Sequence, residues 1–266
     1  MYHVRDVMTD QVVTVGKNDD LKHVMELMEK HNVTKVPVMD NGNLVGIVSD
    51  NMITKKLGSV RRRGNMPSGL HASSVMEKDF EIAHPDAPIT DLLPKVGLAG
   101  LTMIPVVSKG KLVGVHTKAN LLHIIESEEP VSSVMSSQVH TVTPSDRLVH
   151  ARRLLIDNEI ARLPVVENGK VVGILHEAEI AKAFAAMLQD TPFEHQHARA
   201  RELEVGAWMR NPVVTATPDI TIKEAARKMI DEQIGALPLL DTEGRITGIV
   251  TRTDLARTIR FENNAS

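Results

Sequence analysis

The clearest structural signal in the sequence is Gly248-Ile249-Val250-Thr251-Arg252-Thr253-Asp254. An apolar triplet after glycine predicts a buried strand, and the polar and charged residues after it predict the start of a helix. Thr251 and Asp254 would present a hydroxyl and a carboxylate beside the free amides of the first helical turn. Such amides favour a phosphate, and a hydroxyl with a carboxylate suits the two hydroxyls of a ribose.

The same unit occurs four times along the chain, and internal repeats determine the architecture. A methionine near the start of each repeat precedes a proline by 29 residues, and a glycine follows that proline after nine or ten more. In repeats one to four these residues are Met8, Met76, Met135 and Met209; Pro37, Pro105, Pro164 and Pro238; Gly46, Gly114, Gly173 and Gly248.

Each repeat is predicted to form an extended lead-in, a helix, two strands around a turn, and a closing helix. Apolar residues at helical spacing mark the first helix, as in Leu21, Val24, Met25 and Met28. The strands flank turn residues such as Asn168-Gly169, with strands expected at 163–166 and 171–175. In repeat two, Pro94 falls inside the helical pattern and predicts a helix that is kinked or ends near Leu93.

The predicted fold class is α/β (α+β), built from tandem βαββα repeats. We place the repeats at 1–57, 70–126, 129–188 and 202–261, joined by loops at 58–69 and 189–201. One unit of about 60 residues leaves an apolar sheet face exposed, so the repeats should pair. The pairs would form two pseudo-two-fold modules, 1–126 and 127–266.

Composition excludes several classes of function. The 266 residues include no cysteine, which removes disulfides, thiolate zinc sites and thiol catalysis. A net charge of −3 disfavours nucleic acid as a partner, and Arg61-Arg62-Arg63 is interpreted as a solvated loop. Neither a membrane span nor a signal segment is recognisable, so a cytoplasmic protein is expected. Paired carboxylates for acid-base chemistry and an activated nucleophile are also unrecognisable, so no enzyme is predicted.

The repeats resemble the cystathionine-β-synthase (CBS) domain over nearly the whole chain. The resemblance is carried by Val213 to Pro218, Ala236 to Leu240, and Gly248 to Asp254. It implies that the repeats pair into Bateman modules whose clefts commonly hold adenosine-containing ligands. Chains with four such motifs and no catalytic domain resemble the γ subunit of AMP-activated kinase and small prokaryotic regulators. The resemblance also makes a homodimer and a protein effector plausible partners.

The resemblance implies binding residues repeat by repeat. The ribose pair is Thr251 and Asp254 in repeat four, His176 and Glu179 in repeat three, and Thr117 and Asn120 in repeat two. Repeat one has Ser49 and Met52, which cannot form such a pair. Adenine contacts are assigned in repeat four to Arg210, Asn211, Pro212, Ile234, Gly235 and Ala236. In repeat three they are assigned to Ser136, Ser137, Gln138, Ile160, Ala161 and Arg162.

Each assignment has a plainer alternative. Thr251 and Asp254 also match a capping box, and His176 with Glu179 matches an ordinary contact within one helical turn. Arg210, Arg252, Lys118 and Arg162 could hold phosphate or remain solvated charges. Glu194-His195-Gln196-His197 is interpreted as linker rather than a metal site, because His at i and i+2 do not share a helix face.

These residues predict a non-catalytic regulatory protein that binds AMP, ADP or ATP between paired repeats and signals occupancy to a partner. One rival ligand class is S-adenosylmethionine or methylthioadenosine, which needs an apolar pocket in place of phosphate contacts. The other rival is a protein-interaction scaffold with empty clefts, favoured by the degraded pairs of repeats one and two. No catalytic cofactor and no metal are expected. Repeat four should bind best and repeat three weakly.

Overall fold

The computed structural model describes residues 2–57, 69–96 and 103–259. Its strands are β1 (Val15–Gly16), β2 (Lys35–Asp40), β3 (Asn43–Ser49), β4 (Met103–Ser108), β5 (Lys111–Thr117), β6 (Arg162–Glu167), β7 (Lys170–His176), β8 (Ala236–Leu240) and β9 (Ile246–Thr251). Its α-helices are α1 (Val4–Val7), α2 (Leu21–Lys30), α3 (Asp50–Leu57), α4 (Leu93–Val96), α5 (Lys118–Leu121), α6 (Leu148–Asp157), α7 (Glu177–Asp190), α8 (Gln196–Ala200), α9 (Ile222–Asp231) and α10 (Arg252–Ala256).

Each repeat contains the predicted antiparallel hairpin. In repeat one β2 pairs with β3, with Pro37 opposite Ile47, and the register shifts once between Val38 and Met39. The other three hairpins have the same shift at the matching position. Asn41 and Gly42 both have positive φ angles, which fits the tight hairpin turn predicted from an Asn-Gly pair. The βαββα description of the repeats is confirmed.

The lead-in of each repeat pairs in parallel with the first strand of its own hairpin. In repeat one it forms β1, which pairs with β2 through Val15 and Val38. In the other repeats the pairing is a single parallel bridge, at Ala83 with Val106, Val142 with Val165, and Ala216 with Leu239. The first helix then covers this sheet, as when α2 buries Leu21, Val24 and Met28.

Repeat two departs from the expected first helix. A 3₁₀ turn spans Ile89–Asp91, and α4 begins at Leu93 rather than ending there. Pro94 lies in the first turn of α4, where a backbone N–H has no intrahelical acceptor, so the ring costs little. Gly97 and Gly100 lie outside the described residues.

The repeats pair by exchanging the first residues of their lead-ins, which precede the part that pairs with the repeat's own hairpin. Ser136 of repeat three forms a bridge with Ile249 of repeat four, and Arg210 of repeat four forms one with Ile174 of repeat three. Thr9 with Val115, and Ile47 with Glu77, do the same for repeats one and two. The methionine of each lead-in lies against the recurring glycine of the partner repeat, so that a Cβ on Gly248 would lie 2.6 Å from the Met135 sulfur. The methionine and the glycine that recur at constant spacing are thus the two residues of one contact between paired repeats.

The two modules face each other through their closing helices. Helix α3 of repeat one packs on α7 of repeat three, and α5 of repeat two packs on α10 of repeat four. One hydrophobic core joins repeats one and three, and includes Leu21, Ile53, Leu163 and Phe184. The predicted pairing into two pseudo-two-fold modules is confirmed, and the modules also share a core.

Two further predictions concern segments between elements. The linker at 189–201 is partly helical, with a 3₁₀ turn at Phe193–His195 followed by α8. The loop at 58–69, including Arg61 to Arg63, lies outside the described residues except for Gly69. None of the described helices has the length and apolar character that a membrane crossing requires.

One polar side chain is buried in the core of repeat two. His116 is fully buried, and neither ring nitrogen has a hydrogen-bond partner among the described residues. Val48, Leu175 and Val250 occupy the same position in the other repeats and are also buried. Burial lowers the pKa of His116 to about 4, so the ring is neutral near pH 7.

Candidate nucleotide site

A cavity of about 780 Å³ lies at the centre of the molecule, where the four repeats meet. Each pair of repeats has two clefts between the partners. We name each cleft after the repeat whose strand-to-helix turn bounds it. The lining draws on the turns of clefts two and four and on the segments before the proline strands of repeats one and three. It includes Thr117 and Lys118 of cleft two, Thr251, Arg252 and Asp254 of cleft four, and Lys35 and Arg162.

Cleft four contains the predicted pair as a capping box. The Asp254 carboxylate, through Oδ2, accepts the Thr251 backbone N–H at 2.8 Å and the Thr251 hydroxyl at 2.7 Å. Both residues line the cavity and are half-buried. The pair therefore caps α10, as the plainer alternative predicts, and both residues also border the cavity. Helix α10 has only five residues, so cations rather than the helix end must supply most of any phosphate attraction.

The lead-in beside cleft four comes from repeat three. Ser136 exchanges two backbone hydrogen bonds with Ile249, at 2.9 and 3.0 Å. Gln138, Ile160, Ala161 and Arg162 of repeat three also line the cavity. The sequence grouped these residues with His176 and Glu179. The exchange of lead-ins instead places Ser136 beside Ile249 of repeat four, whereas Arg162 still pairs with His176 across the hairpin of repeat three. Ser137 is exposed and is not part of the cavity lining.

The residues before the proline strand of repeat four anchor α10. The Ile234 carbonyl accepts from Arg252 Nε at 3.1 Å, and the Gly235 carbonyl accepts from the Arg252 backbone N–H at 3.3 Å. A Cβ on Gly235 would lie 2.5 Å from a guanidinium nitrogen of Arg162. The space at Gly235 is thus filled by Arg162 rather than left for an adenine ring. Ala236 is buried in β8.

Cationic side chains predominate among the charged residues that line the cavity. They come from all four repeats or their closing helices: Lys35, Lys118, Arg162, Arg252 and Arg257, against the carboxylates of Glu159 and Asp254. Burial, with help from neighbouring cations, lowers the pKa of Lys118 to about 8 and that of Arg252 to about 10. Burial also lowers the pKa of Arg162, against the pull of Asp50 and Glu177. Such a cluster is suited to an anion, which would restore ordinary pKa values.

Cleft two resembles cleft four with one charge removed. The Thr117 backbone N–H and hydroxyl donate to Asn120 Oδ1 at 2.7 and 2.9 Å, which reproduces the box of cleft four. The Asn120 amide in turn donates to Thr9 of the exchanged lead-in at 3.1 Å. Lys118, next in the chain, donates to Thr253 of repeat four at 2.8 Å. Cleft two therefore contacts cleft four directly.

Cleft three has its polar groups already engaged. Glu179 accepts from Arg210 Nε at 2.6 Å and from the His176 backbone N–H at 3.2 Å. His176 replaces a hydroxyl residue, and its Nδ1 accepts from the Ala178 N–H at 3.1 Å. Burial and the nearby arginines hold the pKa of His176 well below its ordinary value, so the ring is neutral. Arg210, Asn211 and Pro212, assigned from sequence to repeat four, lie at this cleft, and all three are exposed.

Cleft one is built into the interface between modules. Ser49 is buried and its hydroxyl accepts only a long hydrogen bond from the Met52 N–H, at 3.3 Å. Asp50 turns towards repeat three, where one carboxylate oxygen lies 3.4 Å from His176 Nδ1. Asn51 donates to Glu177, and the Thr54 hydroxyl donates to the Glu177 carbonyl at 2.9 Å. This geometry agrees with the expectation that Ser49 and Met52 do not form a ribose pair.

Two members of the cation cluster were not identified from the sequence. Lys35 occupies the position of Arg162 in repeat one, two residues before the proline, and alignment of the repeats could have found it. Arg257 lies beyond the repeated motif, and only the cavity brings it to the site. Across the described ranges, no cluster of three or more His, Asp or Glu side chains is arranged to hold a metal ion.

Comparison with known proteins places the chain in a family. The CBS domain model matches residues 4–59, 72–127, 131–186 and 204–260. These four matches cover most of the chain, and the protein belongs to the CBS domain family.

Two archaeal relatives match more than 90% of this chain. Protein MJ1225 of Methanocaldococcus jannaschii is 25% identical over 268 residues, covering 93% of this chain and 95% of the relative. Protein MJ1404 of the same organism is 28% identical over 272 residues, but this chain spans only 61% of it.

Two crystal structures share the fold over 96% of this chain. That of MJ1225, described as a candidate archaeal homologue of the γ subunit of AMPK, has a TM-score of 0.82 at 24% identity over 99% of its own length. A conserved protein of Pyrococcus horikoshii has a TM-score of 0.61 at 23% identity, also over 99% of its length. At these identities the likeness establishes the fold alone.

Proposed function

We propose that this protein is a non-catalytic sensor that binds adenine nucleotides in cleft four, with the phosphates in the central cavity. The observation that carries the proposal is the convergence of Lys35, Lys118, Arg162 and Arg252 on a cavity that also contains Thr251 and Asp254. A nucleotide joins a neutral ribose to an anionic tail, and the cavity joins a hydroxyl-carboxylate pair to a cationic wall. AMP, ADP and ATP all fit this description.

The same wall disfavours S-adenosylmethionine, whose sulfonium is positive, because like charges repel in a desolvated site. Methylthioadenosine carries no anionic group and would make no ion pair with the cationic wall. The interaction-scaffold alternative retains support at clefts one and three, where Met52 and the Arg210–Glu179 pair occupy the ribose positions. A mixed role, with one side binding ligand and the other holding the modules together, fits all four clefts.

The cation cluster also provides a route from ligand to partner. Lys35 and Lys118 belong to the first module, while Arg162 and Arg252 belong to the second. A phosphate held by both sets would favour one arrangement of the modules over others, and binding energy can shift a conformational equilibrium only through such differential contacts. A protein effector that contacts both modules, or a second copy of the chain, would then sense occupancy.

The substitution Asp254→Asn separates ligand binding from helix capping, because cleft two already has an asparagine at the matching position. Asn120 accepts both Thr117 hydrogen bonds in cleft two, so an asparagine at 254 should keep the cap. Unfolding free energy without ligand should change by no more than about 0.5 kcal/mol. Losing the charged acceptor in Asp254→Asn should lower the affinity for ADP by about 10-fold. Asp254→Ala should lower that affinity by about 10- to 100-fold and also reduce the unfolding free energy without ligand by about 1 kcal/mol.

Calorimetric titration with adenosine, AMP, ADP, ATP, S-adenosylmethionine and methylthioadenosine tests the ligand class. Asp231→Ala, at an exposed site on α9, is the surface control and should leave affinity unchanged. Binding of adenine nucleotides that survives Asp254→Ala at full strength would refute the ribose assignment. Preference for S-adenosylmethionine over ADP would refute the proposed ligand.

A further inference from the structure

Cleft three is closed by a side chain of its partner repeat. Glu179 occupies the position of Asp254, and its side chain is only 7% exposed. One of its oxygens accepts from Arg210 Nε at 2.6 Å and the other from the His176 N–H at 3.2 Å. A ribose hydroxyl entering here would have to displace a hydrogen bond in which both partners are charged, whereas its own bond to the carboxylate would have only one charged partner.

The matched position in cleft four has no such side chain. Ser136 occupies the place of Arg210, with the same pair of backbone bonds to the facing strand. A serine is too short to reach across the cleft and has no charge with which to pair with Asp254. The backbone geometry of the two clefts is therefore alike, and the residue after the lead-in methionine distinguishes them.

From this difference we infer that Arg210 determines which cleft binds nucleoside. Its guanidinium takes the hydrogen-bonding position of a ribose hydroxyl on Glu179 and so keeps cleft three unliganded. The inference rests on the proposed adenosine-type ligand, and it extends the proposal by making Glu179 a latent ribose acceptor. The Arg210 side chain is 55% exposed, so its removal leaves little void in the core.

Photolabelling with 2-azido-AMP, followed by peptide mapping, tests the inference on the full-length protein. In the wild type the label should fall on the lead-in of repeat three, at 136–140, and not on the lead-in of repeat four. Arg210→Ala should add a label at 210–214, with affinity at cleft three rising at least about 10-fold. Arg210→Lys keeps a cation that can pair with Glu179 and should keep the cleft closed.

A double variant tests the role of Glu179 directly. Arg210→Ala with Glu179→Ala removes the blocking group and the acceptor together, and should label only at 136–140. Circular dichroism and the retained label at 136–140 show that each variant is folded.

The outcomes separate this inference from the proposed function. A label in Arg210→Ala that stays confined to 136–140, with none added at 210–214, would overturn the role of Arg210, and so would labelling at 210–214 already in the wild type. Absence of label from every variant would overturn both proposals. Label at 210–214 in Arg210→Ala alone, with none at 136–140 in any variant, would support the role of Arg210 and refute nucleotide binding in cleft four.

Discussion

Clefts two and four differ from clefts one and three at matched positions. The residue after the lead-in methionine is small in the first set (Thr9 and Ser136) and long and charged in the second (Glu77 and Arg210). The first residue of the closing helix is basic in the first set (Lys118 and Arg252) and acidic in the second (Asp50 and Glu177). Repeat two packs on repeat four, and repeat one packs on repeat three. Clefts of the same kind therefore lie next to each other.

The closing helices show the same division. Helices α3 and α7 have 8 and 14 residues and lie in the shared core, whereas α5 and α10 have four and five residues and border the cavity. The four repeats thus fall into two kinds. Repeats one and three join the modules through the shared core, whereas repeats two and four border the open, cationic cavity. Substitutions at three of the matched positions test the comparison.

The largest effect is expected on the closed side, from Asp50→Asn. Burial, and then Glu177, raises the pKa of Asp50 to about 7 from an ordinary value of 3.8. Because the folded state holds the proton more tightly, this stability is fully present below about pH 4 and is lost as pH rises through 7. The wild type should therefore lose on the order of 4 kcal/mol between pH 4 and pH 8 from this group. Asparagine stays neutral, so the variant should lack this loss.

Urea unfolding of both proteins at several pH values measures that difference. Arg162 and Lys35 oppose the shift at Asp50 and are present in both proteins. His116 contributes the opposite slope, since its lowered pKa costs stability as pH falls from about 6.5 to 4, and it too cancels in the comparison. Asp10→Asn, at an exposed position, should match the wild type. Equal pH dependence in wild type and Asp50→Asn would show that Asp50 is charged in the interface.

The next effect is expected on the open side, from Arg252→Glu. This change gives repeat four the kind of residue that repeat three has at Glu177. Reversing a desolvated charge beside a phosphate should weaken ADP on the order of 100-fold, or about 2.7 kcal/mol, while adenosine changes by less than about 3-fold. Lys30→Glu, an exposed reversal at the end of α2, controls for net charge. If adenosine and ADP weaken equally, the phosphates do not lie at Arg252.

Much of this division could be predicted from the sequence, because it rests on periodic positions. The spacing of Met8, Pro37 and Gly46 recurs in every repeat, and hairpins and helices follow from local patterns. The interruption predicted near Leu93 lies between the 3₁₀ turn and α4, but the sequence did not show that Pro94 would begin a new helix, because the effect of a proline depends on whether it lies in the first turn.

The composition of each cleft could not be predicted in the same way. Local sequence places Arg210 beside repeat four, but pairing exchanges lead-ins, so Arg210 meets Glu179 of repeat three. No periodic signal shows that the start of a lead-in crosses to the partner repeat before the rest of it returns to its own sheet. Similarly, Gly235 suggests open space from sequence, and only the packed structure shows that Arg162 fills it.

The smallest effect is expected from the titration of Lys118. Burial, with Lys35 and Arg257, lowers the pKa of Lys118 to about 8, and Asp254 only partly opposes this. A bound phosphate would favour the charged form and raise the pKa again, so binding should take up a proton near pH 8. Only the protonated lysine attracts the phosphate strongly, and ADP affinity should therefore fall about 10-fold from pH 7 to pH 9. Adenosine has no phosphate and should not show this fall.

Arg252 titrates too high to imitate this effect, since its pKa of about 10 leaves it charged across the interval. Lys118→Arg should thus bind ADP with an affinity that is nearly constant from pH 7 to pH 9, because a guanidinium keeps its proton there. Lys118→Gln should bind more weakly at pH 7 and also lack the pH dependence. Calorimetry in buffers of different ionisation enthalpy counts the protons directly. An ADP affinity that falls equally in wild type and Lys118→Arg would assign the titration to another group and remove Lys118 from the phosphate site.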